Sequence, residues 1–466
     1  MNKFYRWLAR YVLPANTDSS WTWKMLLSLM PFLLLVLLKP AGLNNLQALV
    51  TGSIVLVVIW WSANLTKKIP ASLFLLAIFC ITRAAPFTTI FSFPLSETFP
   101  LLALTYVFSA AISHSGLVEH FLQPLLSRYV HTTGQCMAAF LLSMYLTFYL
   151  IPQPLARLFT LLAIYKQFFT ETNLSPAAKS VLCYSLYMFH GASGLSLKDG
   201  DMIFNYAAVS FAGIPISNWE WARAMFIPVT ILCILLGIMI SVVFRKELAG
   251  PPIEVRSQKK PEPLTAAQRK AGWIILGTLL LWMTAPLHQI SGTWVTLCSV
   301  FLLFRIGILH REDWKAIDIS TLVFLAAAFS IGGVMKSCGA AEKLFGMFRN
   351  IFPAAFSPVY LCLMILVAML IHMVLGSNTT TVSVVIPGLM ILCQPVVPPQ
   401  LIVFSTVVGL NYHAIVPFHS VVLMIGAAQG DFPANYVTRT AVPLTLLVFA
   451  VAVGLFYPYW KLLGLF

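Results

Sequence analysis

A short polar segment interrupts one of the most apolar parts of the chain. Residues 376–381 read GSNTTT, and roughly 40 mostly apolar residues surround them, about twice the length of one bilayer crossing. Ser, Asn and Thr are preferred at helix N-termini, where free N–H groups attract an anion. A half-helix ending at Gly376 would leave carbonyl oxygens for a hard cation such as Na⁺. The segment therefore predicts an anion and cation site at a turn, with a second half-helix beginning near Thr380; a polar kink is the alternative.

Charged and histidine side chains interrupt two further apolar stretches. Lys198, Asp199 and Asp201 lie in GASGLSLKDGDMIFN, and His413 and His419 lie in GLNYHAIVPFHS. A charge at the bilayer centre costs about 2.5–3.5 kcal/mol, so such groups usually face water, a partner or a ligand. The two Asp and the two His are candidates for proton coupling, because His titrates near neutral pH. Neutralisation of the lysine by either Asp, and hydrogen-bonded packing of the histidines, are the structural alternatives.

These polar groups belong to a chain that cannot cover itself with polar surface. Its 466 residues are 59% hydrophobic and 9% charged, against about 25% charged in soluble proteins, and the mean hydropathy is +0.87. Apolar runs of roughly 17–25 residues favour an all-α polytopic membrane protein, and no cleavable signal peptide is evident. The net charge of +14 lies mostly in short loops, which indicates positive-inside topology rather than nucleic-acid binding. The eight cysteines lie singly in apolar segments, as packing residues do.

About eleven transmembrane helices and two re-entrant hairpins account for the apolar pattern. The hairpins are predicted at 135–168, around IPQP, and at 356–398, around GSNTTT. The crossings are predicted at 25–39, 46–63, 69–83, 99–117, 176–209 (interrupted), 221–244, 271–287, 292–309, 318–336, 400–428 (interrupted) and 438–459. With the N-terminus cytoplasmic, about 19 Lys and Arg fall inside and about 7 outside, which the positive-inside rule favours.

A proline-rich, charged linker divides the chain into two similar halves. The predicted segments are an amphipathic cytoplasmic lead, a first half, the cytoplasmic linker and a second half: 1–24, 25–244, 245–270 and 271–466. HSGLVE (114–119) and SCGAAE (337–342) precede the two hairpins at an offset of 223 residues. Each half has an odd number of crossings, so the sequence predicts inverted repeats, which are typical of secondary transporters.

The chain resembles the divalent anion/sodium symporter family, which carries dicarboxylates, citrate and sulfate. GSNTTT at a hairpin tip resembles that family's Ser-Asn-Thr motif, and Ile216–Val229 and Trp314–Leu344 resemble two of its other segments. The resemblance covers nearly the whole chain. It implies an eleven-crossing fold with two hairpins, a homodimer and an elevator motion of the transport domain.

The resemblance also assigns site residues by position. It implies that Ser377, Asn378 and Thr379 contact the substrate and sodium, and Ser420 lies where the family has a Thr of its Thr-Pro-Pro turn. Four further substrate contacts are predicted from this chain's own residues and not from the resemblance: Thr380, Gln153, Arg157 and Lys198. A sodium ion would be held by Gly376, Ser377 and Asn378. The chain departs from the family at the first tip, which reads IPQPLAR instead of Ser-Asn-Thr, and at GDMIF and VVL, which replace the two later Pro-Pro-Asn motifs.

These departures suggest that a fixed charge replaces a sodium ion. Arg157, with Lys198, would supply the positive charge, because a guanidinium binds a carboxylate through two parallel hydrogen bonds. Coupling would then use protons, through Asp199, Asp201, His413 or His419, or it would be anion exchange. Snorkelling of Arg157, or its pairing with Asp201, is the structural alternative.

The sequence thus predicts an elevator-type secondary transporter of small organic anions, di- or tricarboxylates first. It is expected in the inner (plasma) membrane as a homodimer, with the N-terminus cytoplasmic, no enzymatic activity, no nucleic-acid partner and no cofactor apart from Na⁺. A sodium-coupled carrier of sulfate, a sugar acid or a lipid phosphate is the main alternative. An intramembrane hydrolase is a distant one, since neither HExxH nor Gly-x-Ser-x-Gly occurs. A receptor-like sensor would need an output domain, and none is evident.

Overall fold

The computed structural model describes residues 21–63, 65–255, 263–346, 349–375, 378–415 and 420–466. Helices make up 77% of the chain, and no β-strand occurs within these ranges. An isolated antiparallel bridge joins Thr172 to Val255. The all-α class predicted from the apolar pattern is therefore confirmed.

The first half contains the helices around the first interruption. In chain order they are α1 (Trp21–Leu38), α2 (Asn45–Ser62), α3 (Lys68–Ile81), α4 (Thr98–Ser115), α5 (Leu117–Tyr129), α6 (Thr133–Leu150), α7 (Pro154–Thr170), α8 (Pro176–Ser193), α9 (Phe204–Ala212) and α10 (Asn218–Val243). Reciprocal side-chain caps at Asn44, Thr132 and Ser217 begin α2, α6 and α10. Proline opens α7 and α8, where the first turn needs no N–H donor.

The second half contains the helices around the second interruption. Its helices are α11 (Ala266–Met283), α12 (Gly292–Arg305), α13 (Ile319–Ser337), α14 (Ala340–Gly346), α15 (Pro358–Leu375), α16 (Asn378–Cys393), α17 (Pro399–Asn411), α18 (Val421–Ala428), α19 (Asn435–Val451) and α20 (Tyr457–Leu462). A π-helical turn, Ala452–Phe456, joins the last two. The predicted boundaries agree with these helices to within a few residues, because prolines, glycines and charges end the apolar runs.

Several helices are long and apolar enough to cross a membrane. Among the described residues they are Trp21–Leu38, Thr133–Leu150, Asn218–Val243, Arg311–Ser337 and Asn435–Leu462. The pair α4 and α5, bent by 54°, adds a sixth if it forms one span. Further apolar helices, such as α3 and α12, are shorter. A polytopic membrane protein is therefore supported, and the count of eleven crossings stays a prediction.

Large apolar side chains also cover the outside of the molecule. Trp23, Leu37, Ile81 and Trp273 are each at least 70% exposed. A soluble protein rarely exposes apolar surface on this scale, whereas a bilayer covers it. The exposed belt therefore agrees with the hydropathy of the sequence.

The motifs HSGLVE and SCGAAE each form a junction at which one helix ends at a glycine and the next helix begins. Gly116 and Gly339, 223 residues apart, both adopt left-handed backbone with φ of 65° and 73°. Glycine tolerates this conformation, which ends one helix and lets the next begin at once. The next helices start at Leu117 and Ala340, again 223 residues apart. The inverted orientation of the halves stays a prediction.

Each junction is held by a glutamine from the opposite half. Gln268 of α11 donates from Nε2 to the Ser115 carbonyl at 3.0 Å. Gln47 of α2 donates from Nε2 to the Cys338 carbonyl at 2.8 Å. Both glutamines also complete the cap at the start of their own helix. These two hydrogen bonds connect the two halves next to the hairpins.

Some predicted features cannot be compared with the structure. The second half-helix is described from Asn378 onwards, within two residues of the start predicted near Thr380. The lead segment 1–20, residues 256–262 of the linker, Gly376, Ser377 and His419 lie outside the described residues.

Candidate functional site

The first interruption is a tight turn between α6 and α7. Pro152 follows the end of α6 and cannot donate the next hydrogen bond of a helix. Gln153 then caps α7, because its side-chain oxygen accepts the Ala156 N–H. The Gln153 N–H donates to the hydroxyl of Ser109 in α4 at 3.1 Å. Gln153, a predicted substrate contact, therefore lies at the tip as a buried cap.

Arg157 lies one turn further along α7 and is completely buried, with 0% of its surface exposed. Its Nη1 donates to the Ile151 carbonyl at 3.2 Å, and its Nη2 donates to the Gly200 carbonyl. The guanidinium carbon lies 4.6 Å from the centroid of the Phe148 ring. Its Nε is buried and has no hydrogen-bond partner within the described structure. Arg157 thus joins the tip of the first hairpin to the break between α8 and α9.

This arrangement differs from both structural alternatives for Arg157. A snorkelling arginine would reach the surface, whereas this side chain is enclosed. No carboxylate of the described residues lies within ion-pair distance of its guanidinium. The carboxylate of Asp201 instead accepts the N–H groups of Ile203 and Phe204, at 3.2 and 3.0 Å, and so caps α9. The positive charge is therefore held by main-chain carbonyls and an aromatic ring.

Lys198 and Asp199 also do not pair with each other. They lie in the 3₁₀ turn Lys198–Asp201 between α8 and α9. Lys198 Nζ donates to the Ile216 carbonyl at 2.7 Å and lies 4.6 Å from the centroid of the Tyr206 ring. Asp199 accepts the Tyr206 hydroxyl at 2.6 Å and the Asn218 amide at 2.7 Å. Tyr206 therefore separates the two charges and binds both.

Asn205 organises the same break. Its Nδ2 points at three main-chain carbonyls, those of Gly194 at 2.8 Å, Leu197 at 3.1 Å and Lys198 at 3.2 Å. Its Oδ1 is buried without a hydrogen-bond partner among the described residues. The turn is tight enough that a Cβ on Gly200 would lie 2.5 Å from the Gly194 carbonyl oxygen. A side-chain amide thus occupies the point where three carbonyl oxygens converge.

The second interruption separates α15 and α16. Asn378 donates from Nδ2 to the side-chain oxygen of Asn411, at the end of α17, at 3.0 Å. Its own Oδ1 is buried and has no hydrogen-bond partner in the part of the chain that is described. Thr379 is half-buried and Thr380 is buried in the same turn. This tip therefore contacts the second broken helix, as the first tip contacts the first.

The second broken helix carries the remaining predicted residues. α17 ends at Asn411, His413 is buried just after it, and Ser420 caps α18 by accepting the Leu423 N–H at 3.4 Å. The His413 ring lies 6.0 Å, centroid to centroid, from the ring of His372 in α15. The sequence analysis assigned no role to His372, although a histidine one helical turn before GSNTTT indicates a polar group close to the predicted tip.

An ion pair fastens the other end of α7. Lys166 binds the carboxylate of Asp431, which follows α18, and Tyr187 of α8 donates to the same carboxylate at 2.8 Å. The Asp431 side chain is 3% exposed and the Lys166 side chain is 43% exposed, so the carboxylate is buried and the ammonium group approaches it from the surface. α7 is thereby attached at its start to the first broken helix and near its end to the second.

Packing joins the polar segments of both halves. α9, which follows the first break, packs against α16 and α17. α8 packs against α7 and α18. Three cavities, of about 550, 230 and 550 Å³, flank the first hairpin, and none of these three is lined by Arg157, Lys198 or Asn378. The polar groups of the tips therefore lie among packed helices, and they do not line these three cavities.

Comparison with known proteins identifies the family of this fold. A family model for the transmembrane region of sodium:sulfate symporters matches residues 18–466. The chain belongs to this family. The family resemblance predicted from GSNTTT is confirmed.

A more distant similarity covers part of this symporter-family chain. A protein of Cupriavidus necator named "Membrane protein" is 24% identical over 215 residues, which is 43% of this chain. The chain spans about 41% of that relative's length. The name of that relative describes it only as a membrane protein and does not name a transported solute.

Within the symporter framework, the interruptions lie where the sequence predicts them, and several contributing residues were missed. The missed contacts are Ser109, Asn205, Tyr206 and Asn411. Asn205 and Asn411 could have been predicted from the sequence, because Asn205 lies at the start of one apolar helix and Asn411 at the end of another, each next to a break. Tyr206 and Ser109 had none, because their roles depend on tertiary contacts.

Proposed function

We propose that this symporter-family member is a secondary active carrier of small organic anions, di- and tricarboxylates first. It would work by an elevator motion as a homodimer in the inner membrane, with a cytoplasmic N-terminus. The buried guanidinium of Arg157 carries the proposal. The Asp201 carboxylate acts on this charge electrostatically but lies beyond ion-pair distance and caps α9. A buried positive charge without a directly paired carboxylate is costly, and a substrate carboxylate at the tip would compensate it.

The tips supply further recognition for an anion. Asn378 and Thr379 lie in the first turn of α16, where free N–H groups and the helix dipole favour negative charge. In this proposal Arg157 provides the charge and Asn378, Thr379 and Thr380 provide neutral donors. Lys198 holds the break through Ile216, so its contribution to the anion is through charge rather than contact.

The same contacts argue against a sodium ion in the first half. The carbonyl oxygens of Ile151 and Gly200 already accept N–H groups of Arg157. Three more carbonyls accept the amide of Asn205. Because these oxygens are the ligands a hard cation would need, the chain's own donors take the place of the ion. We therefore propose coupling to protons or to exchange of a second anion.

Flux measurements in proteoliposomes test this proposal. Uptake of a C4-dicarboxylate or citrate is expected, and replacing Na⁺ by K⁺ should change it by less than the roughly fivefold typical of a coupling free energy. An inward proton gradient, or internal unlabelled anion, should stimulate it. Strict sodium dependence would overturn the coupling and leave the carrier function intact. Absence of flux for every organic anion that stabilises the protein against heat would overturn the function itself.

A sodium-coupled carrier of sulfate is the second candidate. Two observations favour it: the description of the family, and the buried, unpartnered Oδ1 of Asn378, which would suit a cation at the second tip. A thermal-stability screen separates the candidates. Stabilisation by sulfate only when sodium is present supports this second candidate, and stabilisation by dicarboxylates in potassium salts supports the first.

Asn378→Ala is expected to weaken anion binding by at least about tenfold, because a hydrogen bond to a charged group contributes about 1.5–3 kcal/mol. Isothermal titration of the purified protein measures the change. Asn411→Ala is the matched variant, because it removes only the partner of the Asn378 amide. Equal losses in the two variants would mean that the Asn378–Asn411 pair acts as a unit, whereas wild-type affinity in Asn378→Ala would remove Asn378 from the binding site.

A further inference from the structure

A long apolar groove lies between the first hairpin and α11, away from the polar tips. It encloses about 550 Å³ and is lined by α5, α6 and α11. Its large side chains are Phe121, Leu125, Leu146, Trp273 and Leu276, each at least 45% exposed. Apolar surface this open needs a cover, and inside a membrane that cover can be an acyl chain.

The polar groups lining the groove face away from it or are already bonded. Thr147 donates from its hydroxyl to the Ser143 carbonyl at 2.6 Å. Gln268 donates to the Ser115 carbonyl at 3.0 Å. The walls therefore offer hydrocarbon and few free hydrogen-bonding groups, which does not suit a water-soluble ligand.

Positive charge lies at one end of the groove. Arg269, in the first turn of α11, is the charged residue among the described residues that line it. Arg269 is exposed and makes no ion pair or side-chain hydrogen bond within the described part of the chain. The helix start beside it also favours an anion. From Arg269 to Leu279 the groove follows α11 for about 15 Å, the depth of one leaflet.

We propose that this groove binds an anionic glycerophospholipid, with its phosphate at Arg269 and one acyl chain lying along α11 towards Leu279. Charge and shape both favour this occupant, since a basic mouth lies above an apolar wall one leaflet long. The predicted topology places Arg269 on the cytoplasmic side, where anionic lipids are concentrated. The lipid would lie between the first hairpin and a helix of the second half. The site does not depend on the identity of the transported anion.

Native mass spectrometry of the purified protein tests the headgroup contact. Wild type should retain phosphatidylglycerol in preference to phosphatidylcholine. Arg269→Gln should lower phosphatidylglycerol retention about fivefold, as expected for one basic side chain. Lys270→Gln is the matched control, because it removes the same charge from the next residue, which does not line the groove. Equal retention by the two variants, or equal retention of both lipids by wild type, would overturn the proposal.

A second pair of variants tests the acyl-chain contact. Leu276→Trp fills the groove, whereas Leu280→Trp enlarges an exposed residue of the same helix that does not line it. We expect Leu276→Trp alone to lose phosphatidylglycerol, with both variants unfolding at the wild-type temperature in phosphatidylcholine. A change of oligomeric state in Leu276→Trp with unchanged lipid retention would show that the groove is an interface between copies, and the proposal would fail.

Discussion

Arg157→Gln is expected to abolish binding of the transported anion, with a loss of at least about 30-fold in affinity. Removing one member of a buried, hydrogen-bonded charge pair typically costs about 2–5 kcal/mol, which sets this lower limit. The guanidinium is fully buried and has no carboxylate within ion-pair distance in the described structure. Glutamine keeps a donor at this position and removes the charge. Isothermal titration, or the shift in unfolding temperature on adding the anion, measures the loss.

Two comparison variants separate charge from packing. Arg157→Lys keeps the charge but loses the two-pronged contact with Ile151 and Gly200, so it should bind weakly rather than not at all. Arg305→Gln removes an exposed arginine at the end of α12 and should bind as wild type does. Unchanged affinity in a well-folded Arg157→Gln protein would remove Arg157 from the binding site. An equal loss in Arg157→Lys would assign the effect to geometry.

Asn205→Leu is expected to destabilise the protein without any change at the tips themselves. Leucine has a similar volume and no N–H, so the carbonyls of Gly194, Leu197 and Lys198 lose their common donor. Each buried group left unpaired costs about 1–3 kcal/mol, and two amide hydrogens serve the three carbonyls. The apparent unfolding temperature should therefore fall by several degrees. Asn435→Leu makes the same change at an exposed helix start and should have little effect.

Asn205→Asp tests whether the amide stands in for a cation. A carboxylate facing three carbonyls has no hydrogen to donate, so this variant should be destabilised in choline or potassium salts. Sodium should restore part of the lost stability, because carboxylate and carbonyl oxygens are ligands for hard cations. Recovery that is equal in sodium and choline would mean that the carbonyls do not form a cation site. Wild-type stability of Asn205→Leu would contradict the assigned role of the amide.

The helices and their interruptions could be predicted because each depends on local sequence. Pro152 ends α6, Gly116 and Gly339 end α4 and α13, and polar residues stop the apolar run before Asn378. The partners of the charged groups could not be predicted in this way. Arg157 binds the carbonyl of a residue 43 positions ahead, and any residue type offers a carbonyl. Composition therefore located the unusual charges but did not determine which atoms they bind.

The pairing of Lys198 with a neighbouring Asp illustrates the same limit. Adjacent opposite charges suggest mutual neutralisation, yet Tyr206 lies between them and binds each. The sequence analysis assigned no contact to Gln47 or Gln268, and each binds a main-chain carbonyl of the opposite half. Tertiary structure decides these contacts, because side chains from distant segments compete for the same donors.

The two attachments of α7 limit how the first hairpin can move during transport. Arg157 fixes its beginning to one broken helix, and Lys166 and Tyr187 hold its other end, through Asp431, to the other. A movement of the first hairpin alone would break both attachments at once, and it would leave the buried Arg157 guanidinium and the buried Asp431 carboxylate without these partners. The second tip is joined to its broken helix through the amide pair of Asn378 and Asn411. We therefore expect the first hairpin and the two broken helices to move together as one unit during transport.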